Sequence, residues 1–295
     1  MRSAVELGLI GVLTAAAAWA GRTGVPADTG VPVQGVPAVR IVAGSVHSTE
    51  VLLEIAPRER LAAVHVLAAD GRYSAAVEQA RGLALVGAEP EQLVAAHPDL
   101  VFTDPFTRAE TQQLLQSCGI RVVRTPDIAS LDDVERSIRA IGAAAGLAVE
   151  AAALVARMRD REALLRTAAP ARSSWRLLTI DGGYHAFGTG SLVDELLRLA
   201  GARNLAAEHG VRAFRRLDAE EVLGWDPDAL VVSGDVGSEA NELAWMRQDP
   251  ALARLRCVQQ GRVVCVPGAL LSSTSHHALE AAALVGRTLD QWGRP

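Results

Sequence analysis

Glu91-Gln92-Leu93-Val94-Ala95-Ala96-His97-Pro98-Asp99-Leu100-Val101-Phe102 and Glu220-Glu221-Val222-Leu223-Gly224-Trp225-Asp226-Pro227-Asp228-Ala229-Leu230-Val231-Val232 share one pattern. In each, a Glu precedes an apolar pair, a Pro-Asp step begins seven residues after the Glu, and an apolar run follows. Each reads as a short helix stopped by proline and feeding a buried strand. The copies lie about 130 residues apart, too far for a solenoid period. They predict two similar α/β lobes, each offering a Glu at a matching place, with a ligand cleft between them.

The start of the chain reads as an export signal. Arg2 is the only early positive charge, residues 7–20 are small and apolar, and Ala18-Trp19-Ala20 precedes Gly21 as an A-x-A cleavage site. The run is short for a bilayer span, so residues 1–20 are expected to be a signal peptide and the protein to work in the periplasm. No Cys follows the run, so a lipid anchor is not expected. Residues 21–38 hold Gly and Pro without periodicity and read as a flexible leader.

About 275 further residues suffice for two lobes with their own cores. The net charge of −5 argues against a nucleic-acid surface. No later apolar run is long enough to span a membrane. Every basic residue is Arg, from which no function follows. Cys257 and Cys265 flank Gln259-Gln260-Gly261-Arg262, and two readings stand: a bridge across a hairpin, or two unpaired thiols at apolar positions. Cys118, before Gly119, reads as a small buried residue at a helix end. No CxxC occurs to support a zinc ribbon or redox site.

Strands are predicted over 39–43, 61–66, 83–86, 100–103 and 121–124. Helices are predicted over 50–55, capped by Ser48 or Thr49, and over 107–117. Strands alternating with helices imply parallel sheet. From 130 to 167 the pattern is helical throughout. Ser130 is a good N-cap with Asp132 and Asp133 in the first turn, and Gly146-Leu147 divides the stretch. The second helix, 148–168, spans about 30 Å and is ended by Pro170. Alternation resumes with a strand over 175–180, a helix over 192–200, the second Glu-Pro-Asp stretch and a strand over 262–266, and closes with a helix over 278–292. The organisation expected is an N-terminal α/β lobe over 39–129, a helical linker over 130–170 and a C-terminal α/β lobe over 171–295. A single stiff helix between lobes disfavours large hinge motion.

These motifs resemble the periplasmic binding proteins that deliver iron-siderophores, haem and vitamin B12 to ABC importers. The resemblance runs from about residue 40 to 291. It is carried by Ser45 to Leu53 with Arg60 to Val64, by Val86-Gly87 through Glu91 to Val101, by Gly188 to Leu197 with Ala200-Gly201-Ala202-Arg203-Asn204, by Glu220 to Val232, and by Gly261-Arg262-Val263 with the last helix. It implies a receptor rather than an enzyme, with Rossmann-like lobes of parallel sheet joined by one backbone helix. The expected ligand is a metal chelate, cobalamin or a ferric siderophore, whose Fe or Co belongs to the cargo; the protein keeps no cofactor of its own. The resemblance also implies that Glu91 and Glu220 pair with Arg pockets on a permease dimer, because charge-assisted pairs steer docking and fix register. Taken singly, either Glu simply suits a helix N-terminus. The chain is expected to act as a monomer.

Ligands of such folds lie beyond the C-terminal ends of the strands. That nominates His47 and Ser48 after the first strand, Asp104 and Phe106 after the fourth, Tyr184, His185 and Phe187 from the second lobe, and Ser272 and Ser273 near the end. Tyr73, beside Asp70-Gly71-Arg72, covers the cleft or packs a turn. Aromatics stack on flat macrocycles, and His or Tyr can coordinate iron or cobalt. The bland reading of His47 is a solvated loop residue. His276 and His277 diverge on a helix and do not chelate as a pair. The haem- and B12-binding relatives carry a longer segment between the positions of Gly87 and Glu91; here it is short and lacks Tyr. Arg108, Arg212, Arg215 and Arg216 are candidates to grip an anionic chelate, or are solvated surface.

Two other classes are weighed. A bare Zn or Mn receptor needs several converging His and carboxylates, for which His47, His185 and Asp104 are available. An exported hydrolase would use Ser273 or Ser275 near His276, but no G-x-S-x-G elbow occurs and capping serines explain the pattern.

Overall fold

Short apolar runs become fully buried strands. Ile41, Val42 and Ala43 (β1, Ile41–Ala43) have no exposed surface, and the same holds for Leu100, Val101 and Phe102 of β4 (Leu100–Thr103). Such two-sided burial belongs to parallel sheet covered on both faces. The computed structural model describes residues 39–235 and 237–295. The expected signal peptide and leader, 1–38, lie outside the described residues. These residues divide into two compact units, 39–158 with Ser273–His276, and 159–272 with His277–Pro295.

The N-terminal unit holds a parallel sheet ordered β3-β2-β1-β4-β5, with β2 Leu61–His65, β3 Leu85–Val86 and β5 Arg121–Arg124. The chain winds outward from β1 in one direction and from β4 in the other, so the topological switch falls between β1 and β4. Gly44 sits there. Its N–H donates to the Phe102 carbonyl at 2.8 Å, and a Cβ at this position would lie 2.6 Å from the same oxygen. Glycine is therefore required for the backbone approach.

The C-terminal unit repeats the plan with a four-stranded parallel sheet ordered β11-β10-β6-β8. The strands are β6 Arg176–Thr179, β8 Arg203–Asn204, β10 Ala229–Ser233 and β11 Val263–Val266. Its switch lies between β6 and β10, so these strands correspond to β1 and β4. A separate antiparallel pair, β7 (His185–Phe187) with β9 (Phe214–Arg216), stands beside it. The helix Leu131–Ala145 is capped by the Ser130 hydroxyl and ends at Gly146, whose φ of 70° is left-handed. The helix Ala148–Ala168 follows as expected from the sequence and contributes to both units. The last helix, Ala278–Trp292, is tied down where the Trp175 indole donates to the Gly293 carbonyl at 3.1 Å.

The repeated Glu-Pro-Asp stretch has one structure used twice. The helices Pro90–Ala95 and Ala219–Trp225 each carry their Glu, Glu91 and Glu220, at the second helical position. The chain then turns through a left-handed residue, His97 at φ 50° and Asp226 at φ 42°, before a buried proline. The Pro-Asp aspartate clamps the strand beside it. Asp99 Oδ2 accepts from the backbone N–H of Val39 (2.7 Å) and Arg40 (3.2 Å); Asp228 Oδ2 accepts from the Arg176 N–H (2.9 Å). Arg40 and Arg176 answer by donating to the carbonyls of His97 and Asp226. Backbone bonds from Asp99 to Arg40 (3.0 Å) and from Asp228 to Arg176 (2.9 Å) complete each clamp.

Several expectations are corrected. The first helix is Val46–Ile55, capped by Ser45 in place of Ser48 or Thr49, so His47 and Ser48 lie in a helix and not a loop. Cys118 is exposed, because it follows the last turn of the helix Ala109–Ser117 at the surface. Cys257 and Cys265 are both buried free thiols, since Cys257 lies in the helical turn Arg256–Gln259 and only Cys265 is in a strand; there is no hairpin to bridge. Burial pushes their thiols up, to about 12 and about 11. His185 to Phe187 form strand β7 where a loop was expected.

Because Asp228 is buried and accepts from both the backbone and the guanidinium of Arg176, Asp228→Ala should lower stability by about 2 kcal/mol. Asp99→Ala, at an exposed clamp, should cost about 1 kcal/mol. Urea unfolding measures both; equal losses below about 0.5 kcal/mol would contradict the clamp.

Candidate functional site

In the N-terminal unit the candidates gather around the start of the helix Val46–Ile55. Ser45 and Ser48 form a reciprocal capping box: Ser45 Oγ accepts from the Ser48 N–H (3.1 Å) and Ser48 Oγ from the Ser45 N–H (3.3 Å). Ser48 is fully buried and its hydroxyl is committed to the cap. His47 is 8% exposed, and its Nε2 lies 2.6 Å from the Ser137 hydroxyl. Its Nδ1, near the Thr274 backbone, lacks a hydrogen bond of good geometry. Burial pulls the imidazole down to about 4, so it is neutral at pH 7.

One turn along that helix stands a residue the sequence reading passed over. Glu50 is 2% exposed and forms no ion pair among the described residues. Its Oε1 accepts from the Ser74 hydroxyl and the Ala75 N–H, both at 2.9 Å. Its Oε2 accepts from the Ser275 hydroxyl at 2.6 Å and, at 3.4 Å, from Ser273. Glu50 therefore fastens the segment Ser273–His276, which returns from far along the chain, onto this unit. Ser273 is spent on this network, while Ser272 is exposed and donates to the Gly268 carbonyl at 2.5 Å.

Two further candidates follow β4. Asp104 Oδ1 accepts from the Phe106 N–H (3.0 Å) and the Thr107 hydroxyl (2.8 Å), an Asx turn that holds Phe106 outward at 54% exposure. Tyr73 lies in the turn after Asp70, just before Ser74, with the Arg72 guanidinium 5.4 Å from its ring centre. The short segment after Gly87 is closed by the Gln92 side chain, which accepts from the Gly87 N–H at 2.7 Å.

In the C-terminal unit, Tyr184 precedes β7 and packs against the core, while His185 and Phe187 lie on β7 itself. The Tyr184 hydroxyl donates to Asp249 at 2.5 Å, and burial with that bond pushes the phenol well above its usual value. Phe214, from β9, stacks on His185 at 5.0 Å between centroids and meets Phe187 at 5.2 Å. Asp181 and Phe214 are the members sequence reading missed; the Asp181-Gly182-Gly183 turn was the available signal.

Glu91 and Glu220 are both exposed and form no ion pair among the described residues. Neighbouring Glu221 is committed: Arg215 binds it at 2.8 Å, and that pair with the Asp218 N–H holds its carboxyl down at about 2. Of the other arginine candidates, Arg216 donates to the Gly183 carbonyl at 3.1 Å.

Residues 41–270 match the family model for periplasmic binding proteins. The chain belongs to that family, as its doubled α/β plan led us to expect. A cobalamin-binding protein of Halobacterium salinarum is 33% identical over 151 residues, covering 49% of this chain and 41% of that protein. The uncharacterized ABC transporter substrate-binding lipoprotein YvrC of Bacillus subtilis is 26% identical over 161 residues, 52% of this chain and 51% of that protein. The matches thus span about half or less of these relatives. Among solved structures, the periplasmic heme-binding protein RhuT from Roseiflexus, in apo form, superposes with a TM-score of 0.75 at 23% identity, covering 86% of this chain and 99% of that one. The periplasmic vitamin B12 binding protein BtuF of Vibrio cholerae gives 0.65 at 21% identity, covering 86% and 98%. At such identities the likeness concerns the fold. Among the described residues no helix is long and apolar enough to cross a membrane.

A buried imidazole with a lowered pKa takes its proton more readily when unfolded. Its contribution is complete above about pH 6.5 and is lost as pH falls toward 4. At pH 5, His47 should cost the wild type about 2 kcal/mol relative to pH 7.5. A His47→Asn variant should lose less by that amount in urea unfolding at the two pH values; identical losses would contradict the assignment.

Proposed function

We propose that the protein is an exported solute receptor that captures a metal chelate, cobalamin or a ferric siderophore, and delivers it to the permease dimer of an ABC importer. It acts as a monomer in the periplasm and catalyses no reaction. The observation that carries this reading is the pair of exposed, uncommitted glutamates at the same helical position of two matched units. A lone surface Glu is ordinary, but two placed by the same clamp form a repeated docking feature. Family membership supports the transport role, and the apolar stretch 7–20 supports export.

For the ligand, the relative named as a cobalamin-binding protein supports a corrin, and the Phe187–Phe214–His185 cluster supports a flat or aromatic-bearing chelate. With His47, Ser48 and Ser273 buried, the candidates that keep exposed surface are Tyr73, Asp104 and Phe106 in the N-terminal unit, and Tyr184, His185, Phe187 and Ser272 in the C-terminal unit. A bare Zn or Mn receptor has less support: among the described residues no three His, Cys, Asp or Glu are grouped to hold an ion.

Calorimetric titration of the purified protein with cyanocobalamin, a ferric siderophore, ferric haem and Zn separates the readings. Saturable binding of cobalamin or the siderophore, with Zn binding weak or absent, is the expected result. Tight Zn binding with failure of all three chelates would replace this reading with the bare-ion receptor.

A further inference from the structure

The loop Asp181–His185 is built around one imidazole. Asp181 Oδ1 accepts from the backbone N–H of Gly183 (2.8 Å) and of His185 (2.9 Å), and the same carboxylate lies 3.0 and 3.1 Å from His185 Nδ1. Gly183 presses against the ring: a Cβ there would lie 2.7 Å from Cε1 and 2.8 Å from Nδ1 of His185. Tyr184 is held at φ 64°, a conformation costly for a bulky residue. Phe214 stacks on one ring face with an interplanar angle of 17°. Arg216 fixes the loop from the β9 side through the Gly183 carbonyl.

These contacts cover the Nδ1 edge and one face of the imidazole. Nε2 has no hydrogen bond among the described residues, and the side chain remains 26% exposed. A carboxylate on Nδ1 sets the tautomer with the proton there and leaves the Nε2 lone pair free. This is the arrangement by which an outer carboxylate orients a metal-ligating histidine. It also stands where ligands of open α/β sheets bind, since Asp181 follows β6 at the switch between β6 and β10. A cap or turn would need neither the glycine pressed on the ring nor the strained tyrosine.

We propose that His185 Nε2 supplies the protein's ligand to the metal of the bound chelate, with Asp181 as its positioning residue. The proposal rests on the reading of the protein as a chelate receptor and adds its selectivity. The step is a ligand exchange: a water leaves the metal, the Nε2 lone pair takes its place, and no electron or proton is transferred. The preferred cargo is therefore a chelate with one exchangeable position, in preference to one whose metal is fully enclosed. A single imidazole suffices because the chelate brings the other ligands.

The test is an absorbance and affinity titration of the whole protein with aquocobalamin and ferric haem, which have exchangeable positions, and with dicyanocobinamide, both of whose axial positions are held by cyanide, and a hexadentate ferric siderophore as controls closed to exchange. Wild type should bind at least one open-site probe with the spectral change of imidazole coordination. His185→Ala should lose that change and bind the probe about tenfold or more weakly, while any closed control keeps its affinity. Asp181→Asn should retain the coordinated spectrum with about tenfold weaker binding. Should His185→Ala fold poorly, His185→Gln, which keeps a polar side chain of similar reach, serves in its place. Identical spectra and affinities in wild type and His185 variants would overturn the proposal and leave the receptor reading standing. Failure of wild type to bind any of the four probes would overturn both.

Discussion

Each unit depends on an aspartate that grips the neighbouring strand. Asp99 binds the chain entering β1, and Asp228 binds the start of β6. Both follow a buried proline and a left-handed residue. The proline removes a donor and stops the helix, the left-handed residue reverses the chain, and the carboxylate satisfies N–H groups at the lower edge of the sheet. The two central strands of each unit, β1 with β4 and β6 with β10, are thereby brought into register. The clamp acts locally, and its main consequence is positional: it fixes the helix before it, and so the Glu at that helix's second position.

The opposite edges of the two sheets do different things. In the N-terminal unit the upper edge is closed by Gly44 against Phe102 and by the network of Glu50 with Ser74, Ala75, Ser273 and Ser275. A carboxylate buried without a counter-charge persists only when its oxygens are filled by donors, and here hydroxyls and an amide fill them. In the C-terminal unit the corresponding edge is spent on orienting an imidazole. One edge is committed to holding a returning segment, the other to presenting a side chain.

Much of this was legible in the sequence. The strands at 100–103 and 121–124 and the helices at 148–168 and 278–292 were readable because uninterrupted apolar runs or strong caps and breakers mark them. The first helix was placed late because Ser45, Ser48 and Thr49 are all competent caps and only three-dimensional context selects Ser45. Glu50 was missed because an acid beside a cap reads as surface, and its donors lie up to 225 positions away. Asp181 was missed because Asp-Gly-Gly reads as a plain turn; the ring it orients appears only when β6 and β7 are folded. The Pro-Asp repeat is legible with proline as the helix stop, but the clamping by aspartate is not, because its N–H partners lie 60 and 52 positions away.

The account stands or falls on the two glutamates that the clamps position. The most direct measurement is uptake of the bound chelate by cells carrying Glu91→Arg and Glu220→Arg together, with ligand affinity measured on the purified variant. Exposed pairs contribute only about 0–1 kcal/mol each, but reversal adds repulsion at both contacts. Unchanged affinity with uptake largely abolished, and partial uptake in each single variant, is what the account predicts. Normal uptake by the double variant would contradict it.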